Sequence, residues 1–392
     1  MSEWKEYKFS DFVHINPTLK LSIGETYSFV EMKDLSNGHK FCTPSIERKL
    51  TSGSKFQEGD TLFARITPCL ENGKICQVRG LKNGVGFGST EFFVFRGKHD
   101  VSDNEFVFYL SRWDEVRSFA EMNFDGTSGR QRVPKESLDN LFLKLPPLSE
   151  QKSIASILSS LDDKIDLLHR QNKTLEALAE TLFRQWFVEE NESLEIAKLK
   201  DFCNHLKANV NPLKQPDKIF HHYSIPAFDE GQEPEITPGR EIRSNKYQIK
   251  EGTILISKLN PRFPRVWPIL ENIGKNHSIC STEFQVVEPK DSKYFGFILC
   301  FLKSKAVKDE LIQSTSGTSG SHQRVSPEDI FNLTIPVTND DKLNEFNLIT
   351  NPYWDKIKNN KRQIRTLIRL RDTLLPKLMN REVRVKELDL LT

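Results

Sequence analysis

The chain has 392 residues, 37% of them hydrophobic and 28% charged, with a formal net charge of +2. That length supports two or three domains with ample cores, and near-neutral charge requires any nucleic-acid face to be basic locally, with acids placed elsewhere. Cys42, Cys69, Cys76, Cys203, Cys280 and Cys300 form no CxxC pair or Cys/His cluster, which argues against a zinc site or a disulfide framework; no apolar run reaches membrane length, and the opening Met-Ser-Glu-Trp-Lys is no signal peptide, so a cytoplasmic protein with no membrane partner is expected.

Residues 1–148 read as a first module. It opens with residues 4–16, followed by Pro17. Gly59-Asp60-Thr61-Leu62-Phe63-Ala64-Arg65 reads as a turn feeding a strand, and residues 74–78 pair with it across a loop holding Pro68 and Asn72-Gly73. A glycine-rich stretch, 80–88, leads into the strand Ser89-Thr90-Glu91-Phe92-Phe93-Val94-Phe95. A helix is predicted from residue 104 to about 121, capped by Asp103. The polar loop Asp125-Gly126-Thr127-Ser128-Gly129-Arg130-Gln131-Arg132-Val133 follows, then a strand-like Leu141-Phe142-Leu143-Lys144-Leu145 closed by Pro146 and Pro147.

Residues 149–190 read as one long helix. Ser149 is its predicted N-cap, with Glu150 in the first turn where the dipole favours an acid. Ile154, Leu158, Leu161, Ile165, Leu168, Leu175, Ala179, Leu182 and Trp186 alternate spacings of four and three, with Asn172 as a polar member. That is a heptad seam, and about forty residues at 1.5 Å each make a rod of about 60 Å that needs a partner.

Residues 193–340 repeat the first module. Ser281-Thr282-Glu283-Phe284 matches Ser89-Thr90-Glu91-Phe92 and Gln323-Arg324-Val325 matches Gln131-Arg132-Val133, both at an offset of 192, and Gly317-Thr318-Ser319-Gly320 matches Gly126-Thr127-Ser128-Gly129 at 191. Residues 341–380 then repeat the long helix, and 381–392 form a tail. The second seam reads Phe346, Tyr353, Ile357, Asn360, Ile364, Leu367, Leu374 and Leu378. Two unrelated amphipathic helices are the bland alternative, but several collinear matches at nearly one offset favour a duplicated unit of module plus helix. Pairing the two seam asparagines, Asn172 and Asn360, in an antiparallel register sets Leu168 against Ile364, Ile165 against Leu367, Leu158 against Leu374, Leu175 against Ile357 and Trp186 against Phe346. The same register leaves Leu161 against Arg371 and Leu182 against Thr350.

No catalytic constellation stands out. There is no P-loop, and Gly84-Val85-Gly86-Phe87-Gly88 precedes a strand rather than opening a helix, so it offers no phosphate cradle. His221-His222 has no carboxylate or cysteine cluster near it in the sequence, and Glu47-Arg48-Lys49 reads as a solvated face. No Asn-Pro-Pro or Asp-Pro-Pro of the kind amino-methyltransferases use is present. Recognition chemistry is better represented. Thr127, Ser128, Arg130, Gln131 and Arg132 offer hydroxyls, an amide and guanidinium groups, and Thr318, Ser319, His322, Gln323 and Arg324 are their counterparts. Hydroxyls and backbone amides suit phosphates, while arginine suits guanine and glutamine suits adenine. A charged surface turn is the alternative for either loop alone. A basic run, Arg240, Arg243, Lys246, Lys250, Lys258, Arg262 and Arg265, opposed locally only by Glu241 and Glu251, surrounds Asn260, Phe263 and Trp267. The first module has the thinner set Lys40, Arg48, Lys49, Lys55, Arg65 and Lys74. Basic groups near exposed aromatics suit nucleic acid.

Leu145-Pro146-Pro147-Leu148-Ser149-Glu150-Gln151, followed by Leu161-Asp162-Asp163-Lys164-Ile165 in a long helix, resembles the central region of type I restriction-modification specificity subunits. Leu374-Leu375-Pro376-Lys377-Leu378-Met379 with Val383-Arg384-Val385 resembles their C-terminal end, although Asn380-Arg381-Glu382 stands where the family often has Ser-Gly-Glu. The resemblance implies an α+β fold of two similar target-recognition domains, each a mixed β-sheet with helices, separated by two long helices in an antiparallel coiled coil. It implies a non-catalytic reader of bipartite double-stranded DNA that docks two adenine-methylating modification subunits and restriction subunits. S-adenosylmethionine, ATP and Mg would then be bound in those partners and no cofactor or metal by this chain. A coiled-coil scaffold bridging proteins through its two modules is the competing reading from another class.

Overall fold

The computed structural model describes residues 3–127, 129–190, 196–314, 323–337 and 339–385. The chain divides into one unit of residues 1–168 with 363–392 and a second of residues 169–362. The two long helices, Leu148–Phe183 and Asp340–Met379, each contribute one half to either unit.

In the first unit, Thr61–Ala64 is buried along its whole length and pairs antiparallel with Phe92–Gly97 on one side and Ile75–Val78 on the other. Val13–Ile15 and Phe41–Cys42 complete this five-stranded sheet. A four-stranded sheet runs Ile46–Lys49, Thr26–Val30, Val85–Gly88, Ser54–Gln57, with Thr26–Val30 parallel to Val85–Gly88. Lys5–Lys8 pairs with Phe142–Leu145. The glycine-rich stretch therefore ends in a strand of its own. Gly86 and Gly88 permit it, because a Cβ there would meet the Ser28 and Val30 carbonyl oxygens at 2.8 and 2.6 Å. The expected strand from Ser89 starts later, at Phe92, after Ser89 Oγ accepts from the Glu91 amide (3.1 Å) in a tight turn.

The helix expected over 104–121 is two helices, Asn104–Arg112 and Asp114–Met122, split at the extended Trp113. The break turns both apolar faces, Phe106–Leu110 and Val116–Ala120, into one core. Asp103 caps the first through the Phe106 amide (2.9 Å). Ser149 is not a cap. The helix begins at Leu148, and Pro147 carbonyl accepts from Glu150 and Gln151 (2.9 and 3.0 Å). Gln151, buried, ties this entry to the domain by donating to the Pro146 and Val101 carbonyls and accepting from the Asp103 amide.

Ile154, Ala155 and Leu158 of the first long helix join Leu375, Leu378 and Met379 of the second in the domain core. Ile165 and Leu168 form a further cluster with Ile364, Leu367 and Ile368. Each fully buried leucine, isoleucine or methionine among them stabilises the packing by about 1.5–3 kcal/mol. Between these layers lies a charged site. Arg371, expected to lie on Leu161, instead donates to Asp162 Oδ1 (2.6 Å) and to the Gly38 carbonyl (2.7 Å), while Tyr109 donates its hydroxyl to Asp162 Oδ2 (2.7 Å). A bare guanidinium against leucine would be buried without an acceptor, so the neighbouring carboxylate takes its place in the layer.

The second unit repeats this plan. Cys203–Leu206, Phe284–Pro289, Ile254–Ser257 and Val266–Pro268 form an antiparallel sheet. Asn209–Val210, Lys246–Gln248, Ser278–Ser281, Ile219–Tyr223 and Glu235–Pro238 form the other, with Ile219–Tyr223 parallel to Ser278–Ser281. Helices Phe295–Lys303 and Lys305–Gln313 break at Ser304, as their counterparts do at Trp113. The first long helix ends in a wide turn over Arg184–Glu189, closed by the Glu190 amide on the Gln185 carbonyl (2.9 Å). That widening sends Phe187 against Phe183, Phe297 and Phe346. Where the first unit has Asp162, Arg371, Tyr109 and Glu105, the repeat offset of 191–192 places Trp354, Ala179, Cys300 and Gly296. The indole fills the space, and Gly296 leaves room for it: a Cβ there would meet Trp354 Nε1 at 2.9 Å.

Candidate nucleic-acid interface

The polar loop of the first unit is closed by its own backbone. Asp125 and Arg132 exchange amide-to-carbonyl bonds (2.9 and 2.8 Å), and Thr67 exchanges with Gln131: its amide donates to the Gln131 carbonyl (3.0 Å) and its hydroxyl accepts from the Gln131 amide (3.1 Å). Val133 donates to the Arg65 carbonyl (2.8 Å), and Arg65 donates to the Glu91 carbonyl (2.9 Å). Arg65, Gln131 and Arg132 are thereby gathered beside the Ser89-Thr90-Glu91 turn, with Thr127 and Arg130 in the same closed loop, where the Thr127 carbonyl accepts from the Arg130 amide (3.1 Å). Arg65 lies over Phe93, 4.7 Å from the ring centre. Lys74 is tied elsewhere, its ammonium donating to the Met32 carbonyl (3.0 Å).

The second unit builds the same frame from the equivalent atoms. Val325 donates to the Lys258 carbonyl (2.9 Å), Lys258 to the Glu283 carbonyl (3.0 Å) and Asn260 to the Gln323 carbonyl (2.9 Å). Asn260 takes the place of Thr67, in a left-handed conformation (φ 51) with its side-chain carbonyl buried. Ser128, Thr318, Ser319 and His322 lie outside the described residues.

Each frame holds one arginine on one glutamate. Arg132 makes a two-pronged pair with Glu91, Nε at 2.9 and Nη2 at 2.6 Å, and Arg324 a looser one with Glu283, both at 3.3 Å. The hydrogen bond that Arg132 donates to Glu91 raises the Arg132 pKa further. Both arginines remain about half exposed, at 45% and 52% of the side chain. A planar guanidinium held on one edge by a carboxylate is pre-oriented. Arg132 also donates from Nη1 to the Arg130 carbonyl (3.3 Å), and the exposed remainder of each guanidinium is turned to solvent, where a phosphate or a base could meet it. Glu91 and Glu283 are the site residues that sequence reasoning passed over. Their signal was present, since the repeated Ser-Thr-Glu-Phe carries the same acid to the same place twice.

The basic run of the second unit is less free than its sequence suggests. Arg265 pairs with Asp229 (2.7 and 2.8 Å), Arg240 with Asp217 (3.3 Å) and Lys250 with Glu288, acids remote in sequence that the fold brings back. Lys246 is buried, and burial lowers its pKa. Trp267, expected among exposed aromatics, is a core residue at 2% exposure, packed on Tyr223, Phe228 and Phe284. Phe263 and Arg262 do face solvent. Among the described residues, no group of three or more His, Cys, Asp or Glu side chains converges to hold a metal, and no helix is long and apolar enough to cross a membrane.

Residues 1–177 and 191–345 match the model of the type I restriction modification DNA specificity domain. Among curated proteins, the type I restriction enzyme EcoAI specificity subunit of Escherichia coli is 29% identical over 79% of this chain and 53% of its own length. The HindI specificity subunit of Haemophilus influenzae is 32% identical over 48% of this chain and 42% of its own. The chain thus spans about half the length of the curated relatives it matches. The crystal structure of a type I restriction-modification system S subunit from M. genitalium aligns over 96% of both chains with a TM-score of 0.50 at 15% identity, a likeness of fold alone. With both modules matched by the one model, the chain belongs to the family of type I restriction modification DNA specificity domains.

Proposed function

We propose that this chain is the DNA-reading subunit of a cytoplasmic type I restriction-modification complex. Each unit reads one half of a bipartite duplex target, and the long helices dock adenine-methylating modification subunits and restriction subunits. The chain contributes no chemistry of its own; S-adenosylmethionine, ATP and Mg belong to the partners. One observation carries this reading. Two frames built from equivalent backbone bonds each present a half-exposed arginine oriented by a glutamate, Arg132 on Glu91 and Arg324 on Glu283, while the loops around them differ. A shared frame with different loops suits one task performed on two sequences.

Binding of the full chain to duplex DNA, titrated with salt, tests the nucleic-acid assignment. Phosphate neutralisation predicts a steep fall of affinity with salt, and the absence of any such slope would favour a protein-bridging scaffold. Methylome sequencing of a host expressing the chain with its partner subunits tests the rest: a two-part methylated motif is expected.

A further inference from the structure

The shared frame cannot by itself tell one half-site from the other, so discrimination must come from equivalent positions that differ. The sheet register identifies such positions beside the Ser-Thr-Glu turns. Phe29 pairs with Phe87 and His222 with Ile279, positions 192 apart on the neighbouring strand. Phe29 and His222 are therefore equivalent. On the edge strands, Ile46 lies opposite Phe29 and Glu235 opposite His222. Arg48 then corresponds to Thr237, and Glu31 to Ser224.

In the first unit the Arg48 guanidinium stacks on the Phe29 ring, 4.5 Å from its centre, and one nitrogen donates to Glu31 (3.3 Å), which also pairs with Lys33. Arg48 is 52% exposed on the edge strand Ile46–Lys49. Phe29, Glu31 and Arg48 line a cleft of ≈ 440 Å³ together with Ser89 and Thr90, the residues just before Glu91. In the second unit the cluster is acidic. Glu235, 45% exposed on the edge strand Glu235–Pro238, accepts from Ser224 Oγ (2.9 Å) and lies 3.5 Å from His222 Nδ1.

We propose that these two clusters are the base-reading positions that make the half-sites different. The stacked, carboxylate-held Arg48 offers paired donors and reads a guanine in the half-site of the first unit. Glu235, steadied by Ser224, offers an acceptor and reads a base amino group, that of cytosine, in the half-site of the second. A two-stranded ribbon fits the major groove, where guanine shows two acceptors and cytosine a donor. The strand pairs Thr26–Val30 with Ile46–Lys49 and Ile219–Tyr223 with Glu235–Pro238 are the edges of a four-stranded and a five-stranded sheet, and such an edge would present Arg48 or Glu235 to the groove.

This inference rests on the DNA-reading assignment above. The test is selection of duplexes from a randomised library by the full-length chain, followed by sequencing. The wild type should enrich a two-part motif. Arg48→Ala should relax one guanine position in one half by about ten- to a hundredfold and leave the other half intact. Glu235→Gln should relax one position in the other half only. Arg48→Lys keeps the charge without the fork and should give the same relaxed guanine, which guards against a folding defect in the alanine variant. Unchanged motifs, or an equal loss on all sequences by variants with native circular dichroism, would overturn the proposal while leaving DNA reading in place. A wild-type chain that enriches no duplex would overturn both.

Discussion

Asn360 donates its side-chain amide to the side-chain oxygen Oδ1 of Asn172 at 2.8 Å, inside the second unit, with both residues nearly sealed from solvent. Gln171 lies 3.4 Å from the same amide. Replacing Asn360 alone with leucine leaves a buried amide without its partner and should destabilise the fold by about 1–3 kcal/mol. Replacing both with leucine should recover most of that loss or exceed the wild type, as denaturant midpoints would show. With the native cysteines removed, Asn172→Cys with Asn360→Cys should crosslink within one molecule on oxidation. Preferential crosslinking of position 172 to 353 or 367 would show a register displaced by a heptad.

That pair was legible because each asparagine is the polar member of its heptad seam. The repeat was legible for a similar reason: Ser-Thr-Glu-Phe and Gln-Arg-Val recur in order at one offset, and the two frames use them for the same backbone bonds. What the sequence concealed depends on partners far along the chain. Asp162 sits beside the seam and reads as solvent-facing until Arg371 and Tyr109 arrive from other elements. Arg265 reads as free until Asp229, at the end of the short helix Ile225–Asp229, closes on it. Trp267 reads as a surface aromatic because its neighbours in sequence are basic, yet it is the middle residue of Val266–Pro268, a strand buried at every position, while Phe263 lies in the bend before that strand and stays out.

Arg371 and Asp162 form an ion pair in which both side chains are almost wholly buried. Arg371→Met should cost about 3–5 kcal/mol, because the Asp162 carboxylate is left in the core without its ion-pair partner, keeping the hydrogen bond from the Tyr109 hydroxyl and the charge of the buried Arg112 nearby. Adding Asp162→Leu should return much of that stability. Thermal unfolding of Arg371→Met, of Asp162→Leu alone and of the double variant measures the coupling; additive losses would mean that the pair does not act as a unit.

Arg132→Ala and Arg324→Ala should leave stability nearly unchanged, since exposed ion pairs contribute little. DNA binding should weaken in both. A phosphate contact would be lost equally on all sequences, and a base contact would cost about 1–3 kcal/mol at one position. Fluorescence anisotropy on matched and mismatched duplexes distinguishes the two, and unchanged affinity in both variants would remove these arginines from the interface.

His205 and His222 should make the second unit acid-sensitive. Burial lowers each pKa from 6.5 to about 4. The unfolded chain therefore binds protons between those values that the folded chain refuses, so stability is full above pH 6.5 and falls as pH drops toward 4. His205 stacks on Phe331, ring centres 4.5 Å apart. His205→Gln should flatten the decline of unfolding free energy between pH 6.5 and 4, and an unaltered slope would contradict the assignment.

The exchange of Asp162, Arg371 and Tyr109 for Trp354, Ala179 and Cys300 bears on which modules the scaffold can accept at each position. A recognition domain grafted from a homologue must bring a hydroxyl donor to the position of Tyr109, or Asp162 keeps one oxygen unanswered in the core. A graft at the second unit faces the opposite demand: it must bring a glycine-sized residue to the position of Gly296, or the Trp354 indole has nowhere to lie. The two sockets are thus keyed differently, one by charge and one by shape, and a domain shuffled into the wrong socket meets either an uncompensated carboxylate or a steric clash. A module exchange through this scaffold is therefore expected to be position-bound: a module that fits the first socket lacks what the second demands, and the reverse.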